Sequence, residues 1–60
     1  MFVELNTRSN DGYTVSLEWD RDTGHTQITV DDARAAEQIV FGVPGANSAD
    51  AFRHPFRYLP

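Results

Sequence analysis

The sequence predicts a mostly β member of the α+β class: a four-stranded antiparallel meander with one short C-terminal helix packed on its apolar face. The clearest signal is residues 13–19, where apolar and polar side chains alternate without a break. Because neighbouring side chains of a strand point to opposite faces, this segment has one buried and one solvated face, as is typical of antiparallel sheets. Turn-forming residues flank it on both sides, and helix formers follow Pro44 and Gly45.

The first three strands are predicted to form two consecutive hairpins. Residues 2–7 alternate and form the first strand, and residues 9–12 (Ser-Asn-Asp-Gly) tolerate the positive φ of a tight turn. Residues 13–19 form the second strand. Residues 20–24 (Asp-Arg-Asp-Thr-Gly) supply an aspartate to brace a second turn and a glycine for its left-handed position. Residues 26–30 then form the third strand.

The segment from residue 31 to residue 43 allows two interpretations. Its first half is rich in helix formers behind an acidic N-cap candidate, which favours a helix over residues 32–40. Its second half alternates and contains β-branched residues, which favours a strand. We predict a loop, with at most one helical turn, followed by a fourth strand over residues 38–43.

The last predicted element is a short helix near residues 48–53. Asn47 or Ser48 can cap its start, and Pro55 disfavours helical geometry at His54, where the helix should end. Residues 1–60 are predicted to form a single small domain. The predicted core comprises Val3, Leu5, Val15, Leu17, Trp19, Ile28, Val30, Ile39, Phe41, Phe52 and Phe56.

Length and composition exclude several classes of protein. The 60 residues contain no cysteine, so neither disulfides nor thiolate metal sites can stabilise a domain of this size. The net charge of −4 disfavours a broad duplex-binding surface, because phosphate contacts need accumulated positive charge. The longest apolar run, residues 39–41, is too short to span a bilayer, and the first residues lack the pattern of a signal peptide. A cytoplasmic location is therefore expected.

Two groups of acidic, hydroxyl and histidine side chains suggest catalysis, but neither has specific spacing. Asp31 and Asp32 are adjacent carboxylates at a predicted strand end, where solvated side chains are usual. Ser48, Asp50 and His54 include the residue types of a hydrolytic triad, with nothing to set their geometry. So short a chain also has little room for a pocket. We predict that the protein is not an enzyme.

A cluster of possible metal ligands lies in the second predicted turn. Asp20, Asp22 and His25 resemble the start of a calcium loop, but Gly24 stands where the third ligand should be. Aspartates beside a glycine are ordinary turn chemistry. The sequence therefore predicts no metal and no other cofactor.

The C-terminal segment is the one group of residues that suggests a binding function. Residues 52–58 (Phe-Arg-His-Pro-Phe-Arg-Tyr) alternate aromatic side chains with arginines, which together stack nucleic-acid bases or anchor protein interfaces. The alternative is that the aromatic side chains close the core while the arginines are solvated. This choice stays open at the level of sequence.

The same segment carries a resemblance to other proteins. The chain has Leu-Glu-Trp-Asp at residues 17–20 and Asp-Ala-Phe-Arg-His-Pro-Phe-Arg-Tyr at residues 50–58. With these it resembles small β-rich proteins of high-GC bacteria that commonly end in Asp-Ala-Phe-x-His-Pro-Phe-x-Tyr after a run of strands. The resemblance implies a strand rather than a helix at residues 38–43. It implies no activity, because that group has no assigned function.

The predicted function is a small non-enzymatic protein-interaction or regulatory module, whose partner is another protein or a second copy of the chain. An open sheet leaves two edge strands with unpaired backbone groups, and the first strand has few charged residues to guard it. The alternative is a weak binder of single-stranded nucleic acid that uses the C-terminal segment. The predicted interaction residues are Phe2, Val40, Arg53, Arg57 and Tyr58.

Overall fold

The structure, a computed structural model that describes residues 1–58, confirms the four-stranded antiparallel meander with a short C-terminal helix. Helix α1 (Ser48–Arg53) lies between 3₁₀ turns at Gly45–Asn47 and Pro55–Tyr58. The strands follow one another in space as they do along the chain. They are β1 (Phe2–Asn10), β2 (Tyr13–Asp20), β3 (Thr26–Asp32) and β4 (Glu37–Val43).

Residues 33–36 form a tight turn between β3 and β4, so the alternative of a helix over residues 32–40 is wrong. The side-chain Oδ1 of Asp32 accepts hydrogen bonds from the backbone N–H groups of Arg34 (3.0 Å) and Ala35 (3.2 Å). Ala36 then adopts a φ of 53°, in the left-handed region. The aspartate that suggested a helix cap therefore holds a hairpin turn instead, because the same side chain can brace either structure.

Helix α1 packs across the two central strands and creates a small core. Ala51 is fully buried, and its short side chain lets the helix lie close to the sheet. Leu17, Phe41 and Phe52, which were predicted to be core residues, are partly buried against this core. Val43 and Ala51 belong to the core but were missing from the predicted one. The buried members of this core cluster are Val15, Ile28, Val30, Val43 and Ala51.

The predicted core was too large, because five of its members are exposed. A helix of six residues is only about 9 Å long, whereas four strands span about 14 Å between the axes of the two edges. The helix therefore covers the middle of the sheet and leaves apolar side chains near its edges uncovered. Three exposed members lie on the edge strands: Val3, Leu5 and Ile39. Trp19 is exposed near the end of β2, and Phe56 is exposed outside the sheet, in the second 3₁₀ turn.

A β-bulge in β1 changes which side chains of this strand face the helix. Glu4 pairs with Glu18 and Asn6 pairs with Leu17, so Leu5 is an extra residue in the ladder. The regular alternation that the sequence suggested for residues 2–7 is therefore interrupted. Beyond the bulge, Arg8 pairs with Val15 and lies on the face that α1 covers.

The opposite face of the sheet carries no helix and is polar; we call it the open face. Ser16 and Thr29 are nevertheless buried there. The carboxylate of Glu18 accepts hydrogen bonds from Gln27 (3.0 Å) and from the hydroxyl of Thr29. Among residues 1–58, every buried side-chain nitrogen or oxygen has a hydrogen-bond partner. Hydrogen bonds between neighbouring strands thus replace a second apolar layer.

Candidate interaction surfaces

The outer edge of β4 is regular along its whole length and carries a charged side chain at its first residue alone, Glu37. Its pairing with β3 runs from Glu37 to Val43 without a register shift. No residue from 38 to 43 is charged, and the side chains of Ile39 and Val40 are 37% and 50% exposed. Alternate backbone N–H and C=O groups of an edge strand point away from the sheet. This edge can therefore accept another strand.

The edge formed by β1 differs from the β4 edge in two ways. The bulge at Leu5 breaks the regular spacing of its outward backbone groups. The second half of the strand is polar, and it carries Arg8. Bulges and charged side chains are devices by which proteins keep edge strands from pairing. The sequence predicted few charged guards on the first strand, and the bulge is a further guard that the sequence did not reveal.

Phe2 and Val40 share the open face but do not form one patch. Phe2 pairs with Asp20 on β2, whereas Val40 pairs with Thr29 on β3. They thus belong to opposite edges of the sheet, with β2 and β3 between them. Of these two predicted interaction residues, Val40 alone lies on the regular edge.

A groove of about 450 Å³ lies on the helix side of the β1 edge, and we call it the arginine groove. Three of the five arginines line it, in a chain whose net charge is −4. Phe56, which is 54% exposed, forms part of its wall and packs edge-on against Tyr13 with ring centroids 5.3 Å apart. The arginine, aspartate and histidine side chains of the lining are Arg8, Asp11, Arg53, His54 and Arg57.

Arg8 is the structural anchor of this groove. Its Nε and Nη2 donate hydrogen bonds to the carbonyl of Phe52 (3.1 and 2.8 Å), and Nη2 also donates to the carbonyl of Arg53 (2.9 Å). Its guanidinium lies 5.5 Å from the centre of the Phe52 ring. Arg8 thereby satisfies carbonyl groups at the C-terminal end of α1. Sequence reasoning missed this residue, since its partners lie 44 and 45 positions away.

Tyr58, predicted to be an interaction residue, is turned toward the body of the domain. Its hydroxyl donates a 2.7 Å hydrogen bond to Asp50, and its ring stacks on Phe41 at 6.5 Å. That hydrogen bond is the main cause that lowers the pKa of Asp50 and raises the pKa of Tyr58, and the nearby Arg57 guanidinium lowers the pKa of Asp50 further. Arg53 and Arg57 do line the arginine groove, but Tyr58 does not.

The candidate metal ligands Asp20, Asp22 and His25 make hydrogen bonds that stabilise the turn between β2 and β3. The Oδ1 atom of Asp20 accepts the backbone N–H of Asp22 at 2.9 Å and lies 3.3 Å from the amino terminus. The backbone bond is the largest cause that lowers the pKa of Asp20. Within residues 1–58, no three acidic or histidine side chains come together as ligands.

The candidate catalytic groups are also separate. Asp31 accepts a hydrogen bond from Gln38 on the open face, whereas Asp32 holds its own turn. Ser48 donates to the carbonyl of Gly45 (2.8 Å), and Asp50 binds Tyr58 instead of His54. The structure therefore brings neither predicted group together as an acid–base pair or a triad.

Comparison with protein families, with curated proteins and with solved structures found no match to this chain. The resemblance of the C-terminal segment to small β-rich bacterial proteins stays a prediction. In the described part of the chain, no helix is long and apolar enough to cross a membrane.

Proposed function

We propose that this chain is a small non-enzymatic protein-interaction module that binds its partner by adding a strand to β4. The uninterrupted outer edge of β4, which is uncharged from residue 38 to residue 43, is the observation that carries this proposal. Strand addition takes its affinity from main-chain hydrogen bonds and its specificity from alternate side chains. Here Ile39 and Phe41 lie on the helix side, and Val40 lies on the open face. A partner strand would therefore meet apolar side chains on both faces.

The test of this proposal places one positive charge on each edge in turn. Val40→Lys adds a guard of the kind that natural edge strands carry, at a half-exposed position that folding tolerates. Ser9→Lys, the matched control, adds the same charge to the open face at the β1 edge. Partners are captured from cells that make the protein, and amide hydrogen exchange is then measured on the captured complex.

We expect the partner to protect amides of β4, and we expect Val40→Lys but not Ser9→Lys to lose that partner. Slower exchange in β4 is the signature of a strand added at this edge. A complex in which β4 exchanges as fast as in the free chain would contradict the proposal. So would a partner that both variants retain.

A second candidate function is the binding of single-stranded nucleic acid in the arginine groove. The gathering of Arg8, Arg53 and Arg57 beside the exposed ring of Phe56 favours it. Arginines neutralise phosphates, and an aromatic ring supplies a surface on which a base can stack. The net charge of −4 works against it, so binding would be weak and strongly dependent on salt.

Fluorescence anisotropy with a labelled oligonucleotide of mixed sequence, at low and moderate salt, tests this second function. Arg53→Ala should weaken binding, since the exposed Arg53 side chain lines the groove. Arg21→Ala is the matched control, because Arg21 lies in the turn between β2 and β3 and does not line the groove. No anisotropy change at low salt, or an equal loss in both variants, would dismiss the groove as a nucleic-acid site.

A further inference from the structure

We infer that the strand added to β4 is the β4 of a second copy, paired antiparallel about a two-fold axis at Val40. This inference rests on the proposed function and names its partner. The product is an eight-stranded sheet with both α1 helices on the same side, because an axis perpendicular to the sheet preserves its faces. The arginine groove lies at the other edge of each copy and stays open.

The choice of β4 for both copies follows from comparing the three ways in which two edges can meet. Pairing β1 with β4 is heterologous, so it leaves a free edge at each end and continues into a filament. Pairing β1 with β1 must accommodate two bulges at Leu5 and the anchored side chain of Arg8. Pairing β4 with β4 closes after two copies and joins two regular edges.

The alternation of faces then fixes the register. Directly opposite residues of an antiparallel pair lie on the same face of the sheet. An odd-numbered residue of β4 must therefore meet an odd-numbered residue of the second copy, and an even-numbered residue an even-numbered one. Centring the axis on Val40 pairs residues 37–43 with themselves in reverse order and uses all seven residues of β4. Centring it on Ile39 or Phe41 leaves only five residues paired. The register at Val40 therefore forms the longest ladder.

The side chains of β4 are compatible with this register. Val40 meets Val40 of the second copy on the open face, and Ile39 meets Phe41 of the second copy on the helix side. Apolar pairs directly opposite each other stabilise a sheet. The two Glu37 side chains lie six residues apart along the ladder, about 20 Å, so they do not oppose each other. No like charges meet at the junction.

The dimer also covers apolar side chains near β4 that α1 leaves exposed. A chain of 60 residues without disulfides buries only about 60% of the surface that its unfolded form exposes. Dimerisation is a common way for small domains to bury more. In this dimer Ile39 and Val40, which are exposed in the single chain, gain a second layer of contacts. A seven-residue junction is small, so the dimer should depend on concentration.

Sedimentation across a concentration series tests the association itself. The natural chain should change from monomer to dimer as concentration rises. Val40→Lys should weaken the dimer by more than about tenfold, because it places two positive charges at the axis. Ser9→Lys should dimerise as the natural chain does. Circular dichroism checks that both variants keep the natural fold.

Spin labels test the register, and the absence of cysteine allows one label per chain. Labels on Glu37→Cys should be separated by about 20 Å, and labels on Ser9→Cys by about 34 Å or more, since seven strand spacings separate the two β1 strands. A chain that stays monomeric, or a dimer with Ser9 labels well below 30 Å apart, would overturn the inference. So would Glu37 labels about 13 or 27 Å apart, which are the separations expected for axes at Ile39 and Phe41. A monomer whose β4 amides are still protected by another captured protein would overturn it and leave the proposed function standing.

Discussion

Replacing Arg8 by methionine should destabilise the domain by removing the link between β1 and the end of α1. Methionine keeps a long apolar side chain over Phe52 and removes the three hydrogen bonds to the carbonyls of Phe52 and Arg53. Hydrogen bonds from charged donors contribute about 1.5–3 kcal/mol each when buried. Because Arg8 is only half-buried and water can solvate the freed carbonyls, the expected total loss is about 1–2 kcal/mol.

Thermal unfolding followed by circular dichroism measures this loss. For a domain of this size, about 1–2 kcal/mol corresponds to a Tm lower by about 5–15 °C. Arg21→Met is the matched control, since Arg21 is exposed in a turn, and it should change stability by less than about 0.5 kcal/mol. Arg8→Lys separates charge from geometry, because lysine keeps the charge and lacks the planar fork of donors.

Two results would refute this reasoning about Arg8. If Arg8→Met and Arg21→Met unfold at the same temperature, the hydrogen bonds to α1 add nothing to stability. If Arg8→Lys is as stable as the natural chain, the positive charge suffices and the paired geometry is not required. We expect the Tm of Arg8→Lys to lie between the Tm of Arg8→Met and that of the natural chain. Hydrogen exchange should also show that α1 opens more often in Arg8→Met.

Two further predictions concern a turn and a pH-dependent contact. Ala36→Gly should raise the free energy of unfolding by about 0.5–1 kcal/mol, because Ala36 has a φ of 53°, which glycine adopts without strain. Ala35→Gly is the control and should lower the free energy of unfolding, because Ala35 does not have a positive φ. Urea unfolding that gave both changes the same sign would contradict this. Because folding lowers the pKa of Asp50, its carboxylate stabilises the fold at pH values above the ordinary pKa of 3.8. This stabilisation is lost as the pH falls through the pKa of the folded state. Because folding raises the pKa of Tyr58, its protonated hydroxyl stabilises the fold at pH values below the ordinary pKa of 10.0. This stabilisation is lost as the pH rises through the pKa of the folded state. Tyr58→Phe should therefore make the free energy of unfolding depend less on pH in both the acid and the alkaline range. It should also move the pKa of Asp50, measured by NMR, toward 3.8. An unchanged Asp50 titration would disprove the contact.

The sequence by itself determined the elements and their order. The strands follow from alternation with a period of two, and the first hairpin follows from Asp11 and Gly12, which both adopt positive φ. The α-helix ends at Arg53, before the residue that precedes Pro55. These signals are local, since each depends on a few neighbouring residues. The uncharged run in residues 38–43 is present in the sequence, but the regular pairing of β4 at an edge of the sheet is what makes it a candidate for strand addition.

The tertiary structure alone decided which apolar side chains are buried and which surfaces remain for binding. Alternation shows which side chains share a face, but the length and position of α1 decide how much of that face is covered, so Ile39 is exposed while Ile28 is not. The bulge at Leu5 depends on how β1 pairs with β2, and it places Arg8 under the helix. Arg8 meets its partners more than 40 positions away only when both ends of the chain fold onto one sheet. Such contacts join distant segments, and no local pattern of residues encodes them.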